Sequence, residues 1–230
     1  LTPGMGVFAP FLGVAYRKLP RMEFAGKAQQ DRITPLGLKL IAASLLSDPL
    51  ARGALHPTRL AAELKRKGLL ASASKVDRAL MQLERAGFVR AQGRPPQKAY
   101  YFEESPAVWS RLVRAETQTV LRRVAGRKLP PAGTEWVYAS DSALARLTEL
   151  SEPLVPVIAM SLRDFRVWQG EQPEGTLAGG DEDAGVVIEL WKEDPGFLSA
   201  RQCLNPVELA LSLRRQEDPR VREALGELLA

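Results

Sequence analysis

Two residue types that build most metal and redox sites are nearly missing: one cysteine, Cys203, and one histidine, His56, are all that 230 residues carry. A single thiol excludes an intrachain disulfide framework, and one thiol with one imidazole cannot assemble a Cys/His zinc cluster. A metal would have to be held by carboxylates. Long apolar runs are missing too. The most apolar N-terminal stretch, Met5 to Tyr16 (MGVFAPFLGVAY), contains Pro10 and two glycines and falls well short of the ~20 residues that span a bilayer. Its basic neighbours, Arg17, Lys18 and Arg21, follow the apolar run, whereas a secretory leader places them in front. No membrane association and a cytoplasmic location are therefore expected. There is no Walker-type phosphate loop, and a Ser/His/Asp or Cys/His arrangement would have to recruit the lone His56. His56 stands just ahead of Pro57 as a helix-flanking residue, and Cys203 suits a small apolar filler. The sequence thus points away from an enzyme, with no catalytic residue, metal site or cofactor expected.

What is abundant is charge, and it is divided. Residues 1–133 hold 23 Lys and Arg against 9 Asp and Glu, whereas residues 134–230 hold 9 against 18. A basic surface concentrates polyanions and an acidic one repels them, so nucleic acid is expected to meet the first part only. The change of sign falls in AGRKLPPAGTE (Ala125 to Glu135), a stretch with two prolines and two glycines that suits a linker.

Periodicities in the basic part are short and helical. Thr34-Pro35 supplies a cap and first turn for PLGLKLIAASLL; Thr58 is the expected cap of RLAAELKRKG, which stops at Gly68. Ser72 or Ser74 opens a third helix, SASKVDRALMQLERAG, with Val76, Leu80 and Leu83 inward and Lys75, Arg78 and Gln82 on the opposite face. Phe88-Val89-Arg90, a turn, and Ala99 to Phe102 then form a hairpin. Three helices and a two-stranded wing are the order of a winged helix-turn-helix. In that motif the third helix lies in a major groove about 12 Å wide. Ser72, Ser74, Lys75, Arg78 and Gln82 are its candidate contacts. Arg94, on a turn stiffened by Pro95 and Pro96, is placed to touch phosphates or a narrow minor groove. Arg90 and Lys98 flank the wing, and Arg59 and Lys65 on the second helix suit phosphates, which position a protein without specifying sequence.

The stretch RAGFVRAQGRPPQKAYYF resembles the helix end and wing of winged-helix regulators of the MarR and PadR kind, over about residues 33–102. The resemblance implies double-stranded DNA as partner and transcriptional regulation as role. The same wing occurs in plasmid replication initiators and in protein-interaction modules, which stand as alternatives.

Beyond the wing, Ser105 to Lys128 (SPAVWSRLVRAETQTVLRRVAGRK) reads as one long helix whose apolar stripe, Val108 to Val124, is expected to seat a second copy as a homodimer, the alternative being that it packs on its own domain or on the acidic part. The acidic part reads as strands EWVYAS and LVPVIAMS around a helix DSALARLTEL, then β-rich FRVWQ and GVVIELWK. An acidic loop lies between the last two. Two helices, capped at Asn205-Pro206 and Asp218-Pro219, close the chain. That closing stretch, LNPVELALSLRRQEDPRVREALGELL, is similar to the end of the type IV abortive-infection antitoxins, a resemblance that implies a nucleotidyltransferase-like toxin as partner. A Mg-dependent nuclease using Asp181, Glu182, Asp183 and Glu189 is disfavoured, because Lys192 lies three residues after Glu189 and so on the other strand face.

The expected fold class is α+β: an extension over 1–32, a winged helix-turn-helix domain over 33–104, a connecting helix and linker over 105–133, and an acidic α/β domain over 134–230.

Overall fold

Capping chemistry decides where the first helices begin. The computed structural model describes residues 7–9, 14–16, 32–94, 97–103, 107–117, 119–131, 133–170, 177 and 183–229. Strands β1 (Val7–Ala9) and β2 (Val14–Tyr16) pair antiparallel, and β3 (Arg32–Ile33) leads into helix α1 (Pro35–Leu45). Thr34 caps α1, its hydroxyl accepting the Gly37 N–H at 3.2 Å, and Pro35 sits in the first turn, where no N–H is needed. A 3-10 turn, Pro49–Ala51, is capped by Asp48.

Helix α2 (Pro57–Arg66) has its cap at His56, two residues before the expected Thr58. Pro57 has its φ already set for a first turn, so His56 becomes the cap position, and its side chain makes no capping bond. Helix α3 (Ala73–Arg85) starts at Ser72, whose hydroxyl accepts the Lys75 N–H at 3.2 Å. Gly68 and Gly87 follow α2 and α3 at φ of +86° and +70°, left-handed backbone that glycine takes without strain.

After Gly87 the chain forms the hairpin β4 (Val89–Gln92) and β5 (Ala99–Phe102), with Val89 opposite Phe102 and Gln92 opposite Ala99. Leu55 joins β5 from the other side, exchanging backbone bonds of 2.8 and 3.0 Å with Tyr100. The helices bury Leu38, Ile41, Leu64, Val76, Leu80 and Leu83 beneath this sheet, with Phe88 beside them.

The long helix over 105–128 is not what forms. Helix α4 is Ala107–Arg114, and two strands follow it: β6 (Glu116–Thr117), parallel to β3, and β7 (Val120–Gly126). The β-branched positions Thr117, Thr119, Val120 and Val124 favour extended backbone, and β7 gains a full antiparallel partner 60 residues away. Of the apolar stripe that was to seat a second chain, Val108 and Leu112 on α4 are buried and Val113 is half-buried, which weakens that support for a dimer. Ser105 and Pro106, the proposed cap, lie outside the described residues, as does most of the 1–32 extension.

Residues 119–229 form a compact unit of their own, apart from residues 1–118 and 230. Its elements are β7, β8 (Val137–Tyr138), α5 (Ser140–Leu147), β9 (Val157–Ser161), α6 (Leu162–Gly170), β10 (Val186–Trp191), α7 (Pro206–Leu213) and α8 (Pro219–Leu228). The sheet order is β7-β10-β9-β8, with β9 and β10 parallel and both outer strands antiparallel. Ile158, Met160, Val186, Ile188 and Leu190 pack with Phe165 and Trp168 of α6 on one face. Helices α5, α7 and α8 pack together, α5 against β9.

FRVWQ, expected as a β-rich run, lies within α6. Its start is set by Ser161, whose hydroxyl bonds the Asp164 carboxylate and accepts the Asp164 N–H, a reciprocal cap that outweighs the aromatic and β-branched composition. Among the described residues, no helix is long and apolar enough to cross a membrane. The whole is a mixed α+β chain.

Candidate nucleic-acid interface

Helix α3 presents its outward stripe at i, i+4, i+7 and i+11: Ser74, Arg78, Met81 and Arg85, all exposed. The stripe lies opposite the buried Val76, Ala79, Leu80 and Leu83. It is rotated from the face expected from sequence. Lys75 is half-buried at one side, and Gln82 is committed to the backbone: its amide donates to the Arg32 carbonyl at 2.6 Å and accepts the Thr34 N–H at 3.2 Å. Gln82 therefore fixes the entry to α1 and is not available to a ligand. Ser72 is likewise spent as the helix cap. Met81 and Arg85 were missed, although their spacing from Ser74 and Arg78 was present in the letters.

The opposite flank of α3 is tied to the hairpin. Asp77 and Glu84, seven residues apart and so on one side of the helix, take the Tyr100 hydroxyl at 3.3 Å and the Lys98 ammonium at 3.3 Å. Lys98 also lies 4.6 Å from the centre of the Tyr100 ring. The Tyr100 hydroxyl, and after it Glu84, hold the Lys98 ammonium above the ordinary lysine range against the opposing effect of burial, and burial itself raises the Tyr100 phenol. Lys98 thus braces the hairpin on α3 instead of reaching outward. Behind this, Arg111 of α4 donates to the Gly87 carbonyl and lies over the Phe88 ring, locking the end of α3.

The remaining candidates divide by whether an acid already holds them. Arg59 bonds Glu63 at 3.1 Å, Arg66 approaches the same carboxylate at 3.8 Å, and Lys67 pairs with Asp48 at 2.7 Å. Among the described residues, Arg78, Arg85, Arg94 and Lys65 have no acidic partner and are exposed. Arg78 spends one N–H on the Ser74 carbonyl, and Arg90 lies 6.0 Å from the Tyr101 ring. Arg94 follows Gly93, which has φ +81°, between β4 and β5; Pro95 and Pro96 lie outside the described residues. A groove of about 460 Å³ beside α2 is rimmed by Arg52, His56, Arg59 and Arg66, with Leu50 and Leu60 at its floor.

In the acidic unit Glu189, a candidate metal ligand by sequence, is fully buried and receives Arg123 at 2.6 Å and the Trp191 indole N–H at 3.3 Å. Lys192 and Asp183 are exposed, and Asp181 and Glu182 lie outside the described residues. Among the described residues, no group of three His, Cys, Asp or Glu is placed to hold a metal ion. Cys203 is buried, and burial raises its thiol above the ordinary range, away from the reactive thiolate. No family model matches the chain, and no curated protein or solved structure matches it.

Proposed function

We propose that residues 33–103 form a winged helix-turn-helix that binds double-stranded DNA, and that the protein acts as a DNA-binding transcriptional regulator. Helix α3 enters the major groove, and the β4–β5 turn carries Arg94 to the flanking backbone or minor groove. The observation that carries this reading is the α3 stripe: two exposed arginines without acidic partners, Arg78 and Arg85, on a helix clamped by Gln82 on one side and by Tyr100 and Lys98 on the other. Guanidinium groups held this way can meet guanine O6 and N7 at little ordering cost. The backbone bridge between Leu55 and Tyr100 supports the same reading, since it ties the hairpin to the segment that precedes α2.

Selection of bound duplexes from a random-sequence pool tests it. The expected outcome is an enriched site, with Arg78→Ala/Arg85→Ala losing about 30-fold or more in affinity for that site, as two lost base contacts would give. Urea stability should stay within about 0.5 kcal/mol, as for other exposed substitutions. No enrichment, or equal affinity of the double variant, would remove the reading.

A further inference from the structure

A second surface, in the acidic unit and independent of DNA, shows features of a docking site. Strand β7 is the outermost strand of its sheet, and among the described residues its free edge is engaged only at Gly126, by the bridge to Leu177. Such an edge offers backbone N–H and C=O groups that an added strand can satisfy. Its pairing with β10 runs regularly from Val186–Gly126 to Leu190–Arg122 and then slips, so that Trp191 faces Val120. Leu121 is the extra residue of this bulge, and bulges re-aim side chains. Here Leu121 and Arg122 both turn toward α6, where with Leu162, Phe165, Arg166 and Gln169 they line a cleft of about 350 Å³.

The cleft has an apolar floor and a cationic rim. Leu121 is 42% exposed, and the Arg122 guanidinium lies 6.0 Å from the Phe165 ring. Arg122 and Arg166 are exposed and, among the described residues, pair with no carboxylate. This local sign runs against the unit as a whole, since residues 119–229 hold 18 Asp and Glu against 13 Lys and Arg. Six of those thirteen cations, Arg122, Arg123, Arg127, Lys128, Arg163 and Arg166, fall on β7, the turn after it and α6. Only Arg123 among them is spent on a buried acid.

We propose that this edge and cleft dock an extended acidic segment of a partner polypeptide. The segment adds a strand to β7, packs one large apolar side chain against the exposed Leu121 at the cleft, and pairs its carboxylates with Arg122 and Arg166. Charge selects this occupant over a second copy of the chain, because two antiparallel β7 strands would set Arg122 and Arg123 against like charges.

A random decapeptide display library selected on the full chain provides the test. The expected peptides alternate acidic and apolar residues around one large apolar anchor. The most enriched one, made synthetically, is expected to shift backbone amide resonances of residues 120–124. It should lose roughly ten-fold or more in affinity for Arg122→Glu and for Leu121→Asp, the size expected when a charge or an anchor is reversed at an interface. Both variants change exposed positions, and circular dichroism checks that they remain folded. Peptides without acidic bias, equal binding to the two variants, shifts confined to another surface, self-association through β7 in place of peptide binding, or no enrichment would each overturn the proposal.

Discussion

The two compact units differ in the carboxylates that their arginines meet. Residues 1–118 hold 19 Lys and Arg against 9 Asp and Glu, and Arg78, Arg85 and Arg94 stand exposed with no acidic partner among the described residues. Residues 119–229 hold 13 against 18, and there Arg123 reaches a fully buried Glu189. In the first unit Arg78, Arg85 and Arg94 carry charge that no described carboxylate balances; in the second Arg123 neutralises a carboxylate that the core could not otherwise hold, while Arg122 and Arg166 stay exposed. An arginine count would not separate these roles. Pairing and burial do.

The contrast breaks most sharply at Arg123. Arg123→Ala leaves Glu189 with only the Trp191 N–H, and the acidic unit is expected to lose about 3 kcal/mol in urea unfolding, the low end for a broken buried pair because the arginine side chain is 63% exposed. Arg123→Met with Glu189→Leu should recover most of that loss, since it removes both charges together. A silent Arg123→Ala would mean that the second unit does not depend on the pair and that the contrast is one of composition alone.

A smaller effect is expected at the base of α3. Ser72→Ala removes the hydroxyl that accepts the Lys75 N–H and should cost about 1 kcal/mol in the basic unit, read by the same unfolding experiment. It also loosens the end of the helix nearest Ser74 and Arg78, so duplex affinity should fall with it.

The smallest effect sharpens the acidic side. Burial raises the Asp141 carboxyl above its ordinary range, Arg123 pulls it back, and Asp218 adds to the rise. The folded state therefore holds that proton more tightly than the unfolded chain does. Stability is lost as pH climbs through the ordinary aspartate range, about pH 4, toward the raised folded value. Asp141→Asn removes this loss, so the variant should gain on the wild type as pH rises through that window in paired urea melts. A constant difference would mean that Asp141 titrates as it does in the unfolded chain.

Much of this architecture was legible in the sequence where local chemistry sufficed. Thr34-Pro35, Asn205-Pro206 and Asp218-Pro219 announce helices through their caps, and Gly68 and Gly87 announce where two of them stop. What escaped depended on distant partners. Val120 to Gly126 shares its three-to-four spacing of apolar residues with a helix, and only β10, far along the chain, makes it a strand. The start of α6 was readable after all, in the Ser161-to-Asp164 spacing, but aromatic and β-branched letters masked it.

The α3 surface was legible as a basic face and misphased in detail. Arg78 was found, and Met81 and Arg85 were not. Gln82 and Lys98 were assigned outward because nothing local says that Arg32, Thr34 and Glu84 claim them. Side chains that a fold uses on itself cannot be told from side chains it presents until the partners are placed.

The most direct measurement is the affinity of the full chain for duplex DNA between 50 and 200 mM salt, followed by fluorescence anisotropy. If the unpaired cations of the basic unit meet phosphates, log affinity falls linearly with log salt, and Arg94→Ala makes the slope shallower by about one. Duplex binding that ignores salt, or no binding even at the ~100 μM where non-specific contacts should register, would contradict the account.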